Sequence, residues 1–155
     1  MGSFKSEREK MVKDQIEGRG ITDARVLRAM RQVPRHLFVP EEARPYAYQD
    51  SPIRIGSGQT ISQPYIVALM TALLDVKKGQ KALDVGTGSG YQAAVLSEIG
   101  AQVYSIERHP ELAQEAEARL RDIGYKTILI QVGDGTQGLK KYAPFDRIIV
   151  AAAAP

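Results

Sequence analysis

A chain of 155 residues, 43% of them hydrophobic, has the size of one domain and enough apolar content to bury a core. The net charge of +3 comes with basic residues interleaved among acids, as in Lys5-Ser6-Glu7-Arg8-Glu9-Lys10, which describes a solvated helix face and gives no footing for a nucleic-acid partner. The absence of cysteine excludes a disulfide, a thiolate nucleophile and a cysteine-ligated metal. With only two histidines, His36 and His109, no metal site is expected, and no apolar run approaches the roughly 18–20 residues of a membrane span, so a cytoplasmic protein is expected.

In chain order, Met11, Val12 and Ile16 form an apolar helical stripe that ends near Gly18 and Gly20. Thr22 or Asp23 caps a second helix carrying Val26, Leu27, Met30 and Val33, stopped before Pro34. Residues 34–52, with Pro40, Pro45, Tyr46 and Tyr48, read as a connection. Ile53-Arg54-Ile55 reads as a short strand running into a flexible Gly56-Ser57-Gly58 loop. Pro64 starts a helix to about Val76, with Ile66, Val67, Met70, Leu73 and Leu74 facing inward.

From Lys81 the pattern alternates. Strands are expected at 81–85, 102–106, 126–132 and 145–151, and helices at 92–99 and 110–123, closed by Gly100 and Gly124. This strand-helix-strand succession with short connections implies an α/β, doubly wound, mostly parallel sheet behind an N-terminal helical region. Residues 1–155 read as a single domain: about 1–76 for the helices and the loop before Pro64, and 77–155 for the βαβ half. Ile148-Ile149-Val150 is apolar on both faces, as a central strand would be, yet the sequence ends five residues later at Pro155. The sheet is therefore expected to be incomplete at this end, as in a fragment, or covered by another copy through an open edge.

Ala82-Leu83-Asp84-Val85-Gly86-Thr87-Gly88-Ser89-Gly90-Tyr91 is a buried strand breaking into glycines, which lets a ligand lie against the main chain. A dinucleotide fingerprint would need glycine at 91, where Tyr91 stands, so a dehydrogenase is the weakest reading. The G-x-G-x-G spacing resembles the first motif of S-adenosylmethionine-dependent methyltransferases. Glu107 ends the second strand 21 residues after Gly86, where a carboxylate can accept from both ribose hydroxyls, although a solvated glutamate starting a helix is the plainer alternative. Asp84, inside the strand, either organises the turn or reaches a cationic part of the cofactor. Asp134, flanked by Gly133 and Gly135, stands at the same sheet edge, within reach of an adenine amino group, although Gly-Asp-Gly is also ordinary turn chemistry.

Gly58-Gln59-Thr60-Ile61-Ser62-Gln63-Pro64-Tyr65-Ile66-Val67-Ala68, the glycine turn, Gly133-Asp134-Gly135, and Phe145-Asp146 to Ala151-Ala152-Ala153-Ala154-Pro155 stand in the order found in protein-L-isoaspartate O-methyltransferases. Val33-Pro34-Arg35-His36 to Phe38-Val39-Pro40 is similar to that family's N-terminal region. The resemblance runs from about Met11 to the last residue, and Thr60–Pro64 is its specific part. It implies S-adenosylmethionine as cofactor and S-adenosylhomocysteine as product, with Asp84, Gly86, Thr87, Gly88, Gly90, Glu107, Asp134 and Gly135 holding it. Ser62 matches the active-site serine, with Thr60, Ile61 and Gln63 in the substrate loop. The implied reaction is methylation of the α-carboxylate of isoaspartyl residues in damaged proteins, which then close to a succinimide. A monomer is implied too. The resemblance also implies further strands past the fourth, which the sheet is expected to lack here.

A carboxylate is ionised at pH 7, so Ser62 is expected to position it rather than to act as base or covalent nucleophile. His36 reads as a buried or capping residue and His109 as a helix start. Two alternatives remain at this level: a methyltransferase of the same fold acting on a small molecule or RNA, and a cofactor-binding fragment without turnover.

Overall fold

A computed structural model of the chain describes residues 2–151. The N-terminal region begins with α1 (Phe4–Lys10), capped by the Ser3 hydroxyl, which accepts from the Ser6 amide. It widens into π-helical turns over Met11–Ile16, whose Met11, Val12 and Ile16 are buried, and stops at Gly20 with φ +95°. Asp23 caps α2 (Ala24–Gln32), accepting from the Arg25 amide at 2.9 Å, and α2 buries Val26, Leu27, Ala29 and Met30. Residues 35–46 are mostly short 3₁₀ turns.

The expected flexible loop at Gly56–Gly58 is instead the turn of a hairpin. Gly56, Ser57 and Gly58 all take positive φ, which reverses the chain so that β1 (Ile53–Gly56) pairs antiparallel with β2 (Gln59–Ile61). Thr60 and Ile61 therefore sit on a strand rather than in a loop. After α3 (Pro64–Leu74), with Pro64 in its first turn, the alternation follows as expected: β3 (Lys81–Val85), α4 (Tyr91–Ile99), β4 (Gln102–Glu107), α5 (Pro110–Ile123), β5 (Leu129–Val132) and β6 (Arg147–Val150).

The sheet is fully parallel in the order β5-β4-β3-β6. Its β3 lies between β4 and β6, so the chain leaves β3 toward one side and returns on the other, the arrangement that opens a crevice at the carboxyl ends of parallel strands. Two strands are shorter than expected. Residues 125–128 are spent turning out of α5, where the Gly124 and Tyr125 amides donate to Leu120, and Phe145 packs on Tyr104 instead of extending β6.

The helical stripe of α3 differs from expectation at one residue. Val67 and Ala68 are buried, but Leu73 is 76% exposed, because α3 turns that face outward beside β6. Among the described residues β6 is an edge strand, with Ile149 buried and Ile148 and Val150 exposed. Ala152–Pro155, the end of the resemblance, lies outside the described residues. The core runs continuously from the N-terminal helices through α3 and α4 to the sheet. No helix among the described residues is long and apolar enough to cross a membrane, and no cluster of three or more His, Asp or Glu is placed to hold a metal ion.

Candidate active site

β3 delivers the chain to the carboxyl edge of the sheet, where the Gly86 and Thr87 amides donate to Ile106 O at 2.9 and 3.2 Å and fix the turn against β4. The turn closes at Gly90, with φ +90° and Leu120 Cδ1 only 3.1 Å from where a Cβ would stand. Glycine is required there on both counts, and α4 starts at the next residue. Glu107, 5% exposed at the end of β4, accepts from the Gly88 amide (2.8 Å) through Oε2 and from the His109 amide (3.1 Å) through Oε1. Each oxygen keeps a further lone pair, so the carboxylate still has acceptor capacity toward a diol.

Beneath the turn lies Asp84, fully buried. Its Oδ2 accepts from Ser105 Oγ (2.9 Å), Ser105 Oγ stands 2.5 Å from Thr87 Oγ1, and Oδ1 has no partner. Burial pushes the Asp84 carboxyl up to about 7; the Ser105 hydrogen bond opposes that and the nearby Glu107 charge adds to it. Asp84 thus braces the turn from below, through β4.

A cleft of about 600 Å³, counting its open mouth, lies above the turn. Thr60, Ile61 and Ser62 form one wall; Gly86, Thr87, Gly88 and Glu107 form the other. The hairpin roofs part of it: Ile55 lies against Gly88, and Ser57 Oγ donates to Glu111 Oε1 at 2.9 Å. The segment carrying Ser62 is anchored just beyond its end, where the Tyr65 amide donates to Asp50 Oδ1 (3.3 Å) and Arg19 lies 3.6 Å over the Tyr65 ring while pairing with Asp50 (2.8 Å).

Gln63, Asp84, Gly90, Asp134 and Gly135 stand outside the cleft wall. Asp134 is exposed and caps a short 3₁₀ turn, accepting from the Thr136 amide and hydroxyl, which together hold its carboxyl below the ordinary range. His36 stacks on Phe4 at 4.0 Å with Nδ1 2.8 Å from the Tyr48 hydroxyl, remote from the cleft, and His109 caps α5. The cleft also takes residues that sequence reasoning passed over: Gln59, Val67, Met70, Ser89, Tyr91, Gln92 and Ala151. A signal existed for Gln92, the lone strongly polar residue in the Tyr91–Leu96 run of α4. Ala151 follows from the parallel pairing, since its amide donates to Val85 O and brings it beside the turn.

An acceptor pair at the end of β4, a turn whose backbone lies bare, and a helix start facing the same space suit a nucleoside bearing an amino-acid tail, and S-adenosylmethionine is of that form. Comparison with known proteins agrees. The family model described as protein-L-isoaspartate(D-aspartate) O-methyltransferase matches residues 6–155. The chain is 54% identical over 155 residues to protein-L-isoaspartate O-methyltransferase 1 of Syntrophobacter fumaroxidans, covering all of this chain and 72% of that protein. Over 149 residues it is 55% identical to the corresponding enzyme of Methanoculleus marisnigri, covering 96% of this chain and 68% of the relative. Among solved structures, a putative protein-L-isoaspartate O-methyltransferase of Plasmodium falciparum in complex with S-adenosyl-L-homocysteine superposes with a TM-score of 0.79 at 27% identity, covering 95% of this chain and 74% of that one. On this fold, this cleft and these relatives, the chain belongs to the protein-L-isoaspartate(D-aspartate) O-methyltransferase family, enzymes that use S-adenosylmethionine to methylate isoaspartyl residues.

Proposed function

We propose that residues 1–155 work as one methyltransferase domain in which Ser62 positions the α-carboxylate of an isoaspartyl residue for methylation, the partners being damaged cytoplasmic proteins or peptides. The observation that carries this reading is that Ser62 and the glycine turn line one cleft. S-adenosylmethionine, when bound, supplies an electrophilic methyl group on a sulfonium.

The chain's own task is then geometric. Glu107 receives the ribose hydroxyls, Gly86, Thr87 and Gly88 lie along the cofactor with no side chain intruding at the two glycines, and Asp84 and Gly90 hold that turn from outside the wall. Gly135 keeps the next loop close to Val85, and Asp134 reaches the adenine edge from the rim. Thr60, Ile61 and Gln63 shape the path of the peptide. The acceptor carboxylate is already ionised, so its weakness as a nucleophile lies in its hydration. A neutral hydroxyl at Ser62 replaces one water and fixes an oxygen in line, without a formal positive charge that would quench the attack.

Two peptides differing only in isoaspartyl versus aspartyl, assayed with methyl-labelled S-adenosylmethionine, test this directly. Base-labile label on the isoaspartyl peptide alone is expected. Ser62→Ala should lower kcat roughly a hundredfold while cofactor affinity stays within about twofold. Unchanged turnover in that variant would remove Ser62 from the assigned role.

A further inference from the structure

Gln92 is a polar side chain in a helical run, Tyr91–Leu96, that is otherwise closed to solvent, and it lines the cleft. Its Nε2 lies 2.9 Å from Thr71 Oγ1, and Thr71, itself 1% exposed, donates that hydroxyl hydrogen to Val67 O at 2.7 Å. A backbone carbonyl only accepts, so the single Thr71 hydrogen is committed, and its oxygen is left to accept. The atom of Gln92 that meets it must then be the amino group. Gln92 thus donates to Thr71 and Thr71 to the Val67 carbonyl, a one-way chain that leaves over the Gln92 carbonyl oxygen, which makes no hydrogen bond to any described residue.

Gln92 is the second residue of α4 and shares its wall with Ser89 and the glycine turn, whereas Glu107 serves the ribose. A ligand with an amino-acid tail needs donors for its carboxylate and an acceptor for its ammonium. The helix start supplies the first. We infer that the Gln92 carbonyl accepts a hydrogen bond from the ammonium at the methionine end of the bound cofactor, and that Thr71 is the positioning residue that keeps the amide turned that way. This rests on the cofactor cleft proposed above.

The test compares two ligands by calorimetry on the full chain. S-adenosylhomocysteine carries the amino-acid tail; 5′-methylthioadenosine shares the adenine, ribose and sulfur but lacks it. Gln92→Leu should weaken S-adenosylhomocysteine roughly tenfold or more, the scale of a hydrogen bond to a charged group, and leave methylthioadenosine within about twofold. Thr71→Val should weaken S-adenosylhomocysteine about threefold by freeing the amide, and Thr71→Ser should restore it. A merely structural role would move both ligands together, so equal losses for the two, or none for either, overturn the inference. If Gln92→Leu does not fold, Gln92→Met read in the same titrations carries the same expectation. A wild-type chain that binds neither ligand would overturn the cofactor cleft as well, whereas wild-type binding with an unchanged ratio in the variants sinks only the role of Gln92.

Discussion

Replacing Asp84 by Asn should flatten the pH dependence of stability. The carboxyl is fully buried, one oxygen has no partner, and burial raises it from its ordinary value of 3.8 to about 7. A raised carboxylate stabilises the fold most below its unfolded value, and that contribution is lost as pH rises through the folded value. Between pH 5 and about 7, the folded value, this one group should therefore remove ~3 kcal/mol from the unfolding free energy, at about 1.4 kcal/mol per unit, and little more above that. His36 works in the opposite direction, because burial, then Arg8 and Arg44, lower it, so its contribution grows as pH rises. Asp23, Asp75 and Asp134, all lowered, matter only toward acid. These groups are common to both chains and cancel in the difference. Urea unfolding of wild type and Asp84→Asn at pH 5, 6, 7 and 8, without cofactor, gives that difference directly. The wild type should lose ground to the variant as pH rises; parallel curves would show that Asp84 does not titrate in this range and would refute the reasoning.

Gly135→Ala places a Cβ 2.5 Å from Val85 Cγ1, on a strand that cannot move freely, and should cost ~2 kcal/mol in urea unfolding. An unaffected midpoint would mean that the 133–135 loop relaxes at no cost. Arg35 is wholly buried, its Nε donating to Ala47 O (2.7 Å) and its guanidinium 5.0 Å over the Tyr91 ring, but both terminal nitrogens lack partners, and burial lowers its pKa. Arg35→Met, which fills the space, should stay within about 1 kcal/mol of wild type or exceed it, whereas Arg35→Ala should lose ~3 kcal/mol to the cavity. If the methionine variant unfolds as easily as the alanine one, the charge rather than the volume is what the core needs.

Much of the parallel half was legible because its signals are local. Alternating apolar runs gave β3 and β4, Pro110 and Gly124 bracketed α5, and the glycines after Val85 marked the turn. The hairpin escaped because β2 contains only Gln59, Thr60 and Ile61, too short for periodicity, and its partner is set by three consecutive positive φ values. Leu73 escaped for the reverse reason: an apolar residue at helical spacing cannot report that its helix ends beside an edge strand. At the cleft, the positions of Glu107 and Ser62 on its lining followed from motif and strand position. Gln92 stood out only as a polar residue in an apolar run; its orientation depends on Thr71, a residue of a different helix. Asp84 was legible as a strand carboxyl out of place on a surface, but its position below the turn came from the register that sets it opposite Ser105.

The registers of β3 also bear on how the chain assembles. Its contact with β4 joins residues 21 apart, as in Asp84 with Ser105, while its contact with β6 spans 65, as in Asp84 with Ile149. Closing the longer loop costs about 1 kcal/mol more in chain entropy, before any side chain has packed. The nascent βαβ unit around the glycine turn is thus the cheapest long-range structure for the polypeptide to reach, and its Gly88–Glu107 contact spans only 19 residues. The strand that completes the crevice on its far side is recruited across the greater distance. Topology alone therefore favours a glycine turn that is seated on β4 early and a crevice wall at β6 that closes late.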